Sequence, residues 1–292
     1  MKKLSILLIL LLLLTGCAPS APADIAATTL PVYQFTCRIT EGSGLTVERL
    51  VTESVSCLHD YTLTVSQMRA IEGADTVILS GAGLEEFLHD ALESADSVID
   101  ASAGIPLLEG GHHHDHGEEA PEEEHHHEHD PHIWLSPRCA MEQAKNICAG
   151  LCSRYPEHAE LFRTNLQSLL SDLEALQIYG ETQLSDLSHR EILTFHDGFA
   201  YLAQEFGIEI VEAIEEESGS EPSARELIHL IEEVRLHDIA AIFVEENGSG
   251  SAAAIIAAET GAACGTLSMA MSGDDYFEAM YANIDALKEA LK

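Results

Sequence analysis

Basic residues are scarce in this chain: 14 lysines and arginines stand against 50 aspartates and glutamates, a formal net charge of -36 over 292 residues. A surface so negative repels nucleic-acid phosphates and anionic lipid, which excludes both as charge-driven partners. It gathers cations instead. Long apolar runs are lacking too. The run from Leu4 to Leu14, behind Met1-Lys2-Lys3, has eleven residues, against the roughly 20 that a membrane-crossing helix needs. Also missing is a His-Glu-x-x-His helix, the pattern that would mark a helix-borne zinc hydrolase.

The short apolar run ends at Leu14-Thr15-Gly16-Cys17, the order of an export signal closing on a lipobox. The expectation is a leader over 1–16, a lipid-modified Cys17, and a solvated small-residue tether over 17–28. Such a chain sits on the extracytoplasmic face of a cell membrane or in a periplasm. Acylation of Cys17 leaves six cysteines, Cys37, Cys57, Cys139, Cys148, Cys152 and Cys264, an even number that permits disulfides without revealing their pairing. Cys148 and Cys152 fall one helical turn apart, where bridging geometry is poor, and are expected as small buried hydrophobes.

From Thr29 onward extended apolar runs alternate with helical ones, which predicts an α/β fold with parallel sheets. Strands are predicted over Leu45 to Val51, Thr76 to Ser80, Glu191 to Phe195, Ile208 to Val211 and Ile239 to Val244. Thr64-Val65-Ser66-Gln67 has the spacing of a capping box, and Ser136-Pro137 that of an N-cap followed by a proline at the first helical position. Phe162, Leu166, Leu169, Leu170, Leu173 and Leu176 recur at helical spacing, so a helix of about 45 Å is predicted from Pro156 to near Asp186. Its length suits a connector. The division is then an N-terminal lobe over 29–155, the connector over 156–186 and a C-terminal lobe over 187–292.

One segment, Gly110 to Asp130, holds eight histidines among carboxylates and no aliphatic side chain larger than Ala120. It cannot offset the entropy of ordering, and is predicted as a mobile loop. A solvated polar run is ordinarily a spacer, but His112, His113, His114, His116, His125, His126, His127 and His129 beside carboxylates are expected to act as a weak, multi-site zinc trap rather than a fixed centre. Elsewhere, His59, His132, His196 and Glu245 all fall at strand ends or helix entries, where α/β sheets bind ligands. Three imidazoles with one oxygen suit zinc in a tetrahedral set. Taken singly, each histidine is equally explained by a hydrogen-bonded structural role.

The stretches His59-Asp60-Tyr61, Asp130-Pro131-His132-Ile133-Trp134-Leu135-Ser136-Pro137, Thr194-Phe195-His196-Asp197-Gly198-Phe199-Ala200-Tyr201-Leu202, and Ile242-Phe243-Val244-Glu245 followed by Ala258-Glu259-Thr260-Gly261 together resemble the zinc-uptake solute-binding lipoproteins of ABC importers, the ZnuA-like group of the metal-binding cluster A-I family. The resemblance implies two α/β lobes joined by one rigid helix, with Zn2+ held in the cleft between them by His59, His132 and His196. It implies a monomeric, non-enzymatic receptor that hands metal to a membrane permease and its ATPase. An imidazole at 196, where manganese-importing relatives carry a carboxylate, favours zinc over a manganese receptor. A zinc buffer without an importer, or an anchored zinc hydrolase, are the alternatives. Two departures stand out: Ser56-Cys57-Leu58 replaces a proline-rich turn, and the run Leu267-Ser268-Met269-Ala270-Met271 lacks the carboxylate many members place there. The fourth position is expected to fall to Glu245, as ligand or as partner of a histidine, with water or Cys57 as rivals.

Overall fold

The computed structural model of the chain describes residues 22–53, 58, 61–110, 129–215, 222–271 and 273–292. Two four-stranded parallel sheets organise them. In the first the order is β2 (Val47–Arg49), β1 (Ile25–Ala27), β3 (Thr76–Leu79) and β4 (Val98–Asp100). In the second it is β6 (Glu209–Glu215), β5 (Glu191–His196), β7 (Ala241–Glu245) and β8 (Ala263–Leu267).

Parallel neighbours require crossovers, and helices supply them. The first lobe uses α1 (Leu30–Thr40), α2 (Val65–Gly73) and the single turn α3 (His89–Leu92). Thr64 and Gln67 cap α2 reciprocally, as their spacing predicts. The second lobe uses α6 (Ala200–Phe206), α7 (Ala224–Leu236) and α8 (Ser251–Thr260), and ends in α9 (Tyr276–Leu291). Between the sheets run α4 (Pro137–Arg154), capped by Ser136, and α5 (Ala159–Gln183). The predicted two-lobe α/β architecture joined by a long helix is therefore the one observed.

Its details differ from expectation at three places. Residues 25–27, assigned above to the tether, form the fully buried strand β1 at the centre of the first sheet. The connector is shorter than predicted: Pro156–His158 is a 3-10 turn and α5 proper has 25 residues, about 37 Å. Five of its six predicted apolar positions, Phe162, Leu166, Leu169, Leu173 and Leu176, are buried; Leu170 is half-exposed. Order returns before Pro131, because Asp130 is buried and its N–H donates to Leu108 O.

The lobes are also tied directly. Trp134 Nε1–H donates to Met269 O at 2.7 Å, and Tyr276 O–H donates back to Trp134 O at 2.7 Å. Arg49 reaches Gly273 O at 2.8 Å, and Gln34 bonds both Asp274 O and the Tyr276 N–H. No helix among the described residues is long and apolar enough to cross a membrane.

Candidate metal site between the lobes

Asp130 and His132 belong to the short segment that leads into α4. The His132 N–H donates to Asp130 Oδ1 at 2.9 Å, and the ring Nδ1 stands 2.7 Å from the same oxygen. A carboxylate at that distance accepts from Nδ1–H, which fixes the tautomer and leaves Nε2 with its lone pair outward. That Nε2 is buried and has no hydrogen-bond partner among the described residues. An unpartnered buried nitrogen costs about 1–3 kcal/mol, so the arrangement makes physical sense as one half of a site for a Lewis acid.

His196 comes from the other lobe, as the last residue of β5. Its ring centroid lies 5.4 Å from that of His132, edge-on at 81°, and 6.3 Å from Phe199. Both imidazoles are nearly excluded from solvent. Gly198 allows this packing. A Cβ there would stand 2.8 Å from His196 Nε2 and 2.5 Å from Met269 Cε, closer than real Cβ atoms come.

Glu245 ends β7, the neighbour of β5. The ladder pairs Ile192 with Ala241 and Thr194 with Phe243. Continuing that register brings His196 level with Glu245, on the same face of the sheet. Glu245 is buried, yet the described residues contain no set of three His, Cys, Asp or Glu groups arranged to hold a metal. The structure thus brings His132 and His196 together, and Glu245 does not close a three-ligand set with them. Ser268, in the run without the expected carboxylate, is occupied otherwise: its N–H donates to Asn283 Oδ1, and its Oγ accepts from the Ala270 N–H.

His59, Cys57 and Cys17 lie outside the described residues, as do His112, His113, His114, His116, His125, His126 and His127. His129 is described. It forms an isolated antiparallel bridge with Glu109, beside the bond from Asp130 N–H to Leu108 O. Tyr201 O–H donates to Asp130 O at 3.2 Å and accepts from the Leu108 N–H at 2.8 Å, bracing this neck against α6. Burial pushes the Tyr201 hydroxyl up to about 12, so it remains a donor at any physiological pH. Among the described cysteines, Cys37, Cys139, Cys148, Cys152 and Cys264 are all free; Cys148 is buried, with its Sγ 3.8 Å from that of Cys152. Three residues that serve the site, Asp130, Gly198 and Met269, had no assigned role in the sequence. Asp130 alone carried a usable signal, a carboxylate two residues before a candidate ligand.

Residues 25–290 match the family model described as zinc-uptake complex component A, periplasmic. The chain belongs to this family. The zinc-binding lipoprotein AdcA of Streptococcus pneumoniae is 33% identical over 307 residues, covering 99% of this chain and 61% of that protein. The chain thus spans about three fifths of the length of that relative. The high-affinity zinc uptake system protein ZnuA of Bacillus subtilis is 32% identical, covering 91% of this chain and 87% of its own length. Among solved structures, the Zn(II)-bound ZnuA-like domain of the S. pneumoniae AdcA superposes with a TM-score of 0.77 at 30% identity, over 92% of this chain and 99% of the domain. Members of this zinc-uptake component family are solute-binding proteins, and the chain is accordingly not an enzyme.

Proposed function

We propose that the chain is an extracytoplasmic receptor that captures Zn2+ between its lobes and delivers it to the permease and ATPase of an ABC importer. The observation that carries this reading is the pairing of two buried imidazoles from opposite lobes, one held by Asp130 with its Nε2 unpartnered among the described residues. His59, from the connection after β2, is the third ligand in this account, and Glu245 a neighbouring carboxylate that offsets the charge of the bound ion. Imidazole nitrogen is a donor for zinc, whereas manganese prefers oxygen. The similarity to zinc-binding relatives over most of the chain supports the same metal. Cys17 would carry the lipid that keeps the receptor beside its importer.

The test is equilibrium competition against a chelator of known affinity. One tight Zn2+ equivalent per chain is expected, with Mn2+ bound far more weakly. His132→Ala and His196→Ala should each remove the tight equivalent, while His89→Ala, on the exposed turn α3, should not. Tighter Mn2+ than Zn2+ binding in the unsubstituted protein would overturn the assignment.

A further inference from the structure

A Cβ built at Gly198 would meet, ahead of the His196 ring itself, the terminal methyl of the Met269 thioether. The point where a Gly198 Cβ would stand is 2.8 Å from His196 Nε2 and 2.5 Å from Met269 Cε, so the methionine tip and the ring nitrogen are near neighbours. Met269 is almost wholly buried. Its placement is built rather than incidental. Its carbonyl accepts from Trp134 Nε1–H, two residues beyond His132, so its backbone is tied to the segment that presents the other imidazole. The next residue, Ala270, takes a φ of +51°, a left-handed conformation that is strained for a residue with a side chain. The bond from Ala270 N–H to Ser268 Oγ holds that turn. No carboxylate occurs anywhere between Leu267 and Met271.

We propose that Met269 is the residue that sets metal specificity at this site, its thioether biasing the His132–His196 pair toward the soft cation Cu+ and against the hard cation Mn2+. The proposal rests on the reading of that pair as the metal-holding centre. Thioether sulfur combines well with Cu+ and poorly with hard ions, while imidazole serves both zinc and copper. An apolar methyl beside the ring nitrogen also leaves less room for water, and hard divalent ions keep several oxygen ligands. A carboxylate at the same position would reverse both effects.

Three proteins, wild type, Met269→Leu and Met269→Glu, would be titrated with Zn2+, Mn2+ and, under anaerobic reducing conditions, Cu+, each against a competing chelator. Met269→Leu conserves volume, so the fold is expected to survive it. The expected result is a Cu+ affinity about tenfold or more lower in Met269→Leu, with Zn2+ affinity nearly unchanged, and a Mn2+ affinity about tenfold higher in Met269→Glu. X-ray absorption of the Cu+-loaded wild type should show a sulfur neighbour that Met269→Leu lacks. Equal Cu+ affinities with no sulfur neighbour, or an unchanged Mn2+ affinity in Met269→Glu, would reduce Met269 to a space-filling residue and overturn the proposal. His132→Ala separates the two claims: tight Zn2+ binding that survives it would sink the metal centre itself, whatever Met269 does.

Discussion

Asp130 does for His132 what no periodicity in the sequence announces. One of its oxygens accepts from both the backbone N–H and the ring of His132, so tautomer and orientation are set before any ion arrives. Asp130→Asn keeps the shape but removes the charge that strengthens the imidazole as a donor. Zinc affinity should fall about 10- to 100-fold, as is common for partners of metal-binding histidines, with little change in melting temperature. Chelator competition on the folded variant measures it, and an unchanged affinity would leave Asp130 a merely structural cap. Gly198 gives a second case. An added methyl group would collide with the His196 ring and with Met269, so Gly198→Ala should weaken zinc binding by displacing the ligand while leaving the sheet intact. A crystal structure of the variant with His196 in place and affinity unaltered would contradict this. The positions of His132 and His196 were legible as residues at element ends. Their contact was not, because it joins residues 64 apart through two lobes.

At the scale of elements, the longer strands and helices were readable because they are long enough to show a period. β5 and β7 are apolar runs with helices behind them, and α5 repeats its buried positions over 25 residues. The three-residue strands β1 and β4 are too short to display alternation. The single turn α3 is equally brief, and β8 is mostly exposed along its length, with little apolar signature. The same ends of strands carry a buried group that the sequence also hid. Glu85, beyond β3, accepts from Thr28 Oγ1 at 2.6 Å, from Ser80 N–H at 2.7 Å and from Gly81 N–H at 3.0 Å, pinning the ends of β1 and β3 together. Burial pushes its carboxyl up to about 7, with Asp100 adding to the rise and the three donors opposing it. The folded chain therefore keeps a proton that the unfolded chain releases near 4.5. Stability from this group is fully present below 4.5 and is lost as pH rises through 7. Between pH 4 and 8 the loss amounts to about 3 kcal/mol, a large share of what holds a lobe folded. Denaturant unfolding of wild type and Glu85→Gln at both pH values should show a decline of that order only in the wild type. Parallel pH profiles would mean that the three donors keep Glu85 ionised throughout.

Across the whole molecule, the histidine-rich segment is attached where it can be removed without disturbing what it adjoins. Glu109 and His129 face each other in an antiparallel bridge, and Asp130 N–H donates to Leu108 O directly beside it. The two ends of the segment therefore stand at the spacing of neighbouring strands, a gap that a three-residue hairpin loop closes. Tyr201 braces both sides of this neck from the second lobe, bonding Leu108 N–H and Asp130 O. Those bonds do not pass through residues 111–128. Replacing 111–128 by Gly-Gly, with Gly110 kept, should thus leave Asp130, and with it the Nε2 lone pair of His132, where they are. Calorimetric titration of the variant should retain the one tight Zn2+ equivalent with its affinity unchanged. The weaker equivalents expected from the clustered histidines should disappear, because imidazoles without fixed geometry bind through local concentration alone. Loss of the tight equivalent in a variant that still melts cooperatively would mean that the segment supplies a primary ligand, and that the pair formed by His132 and His196 is completed from there and not from His59.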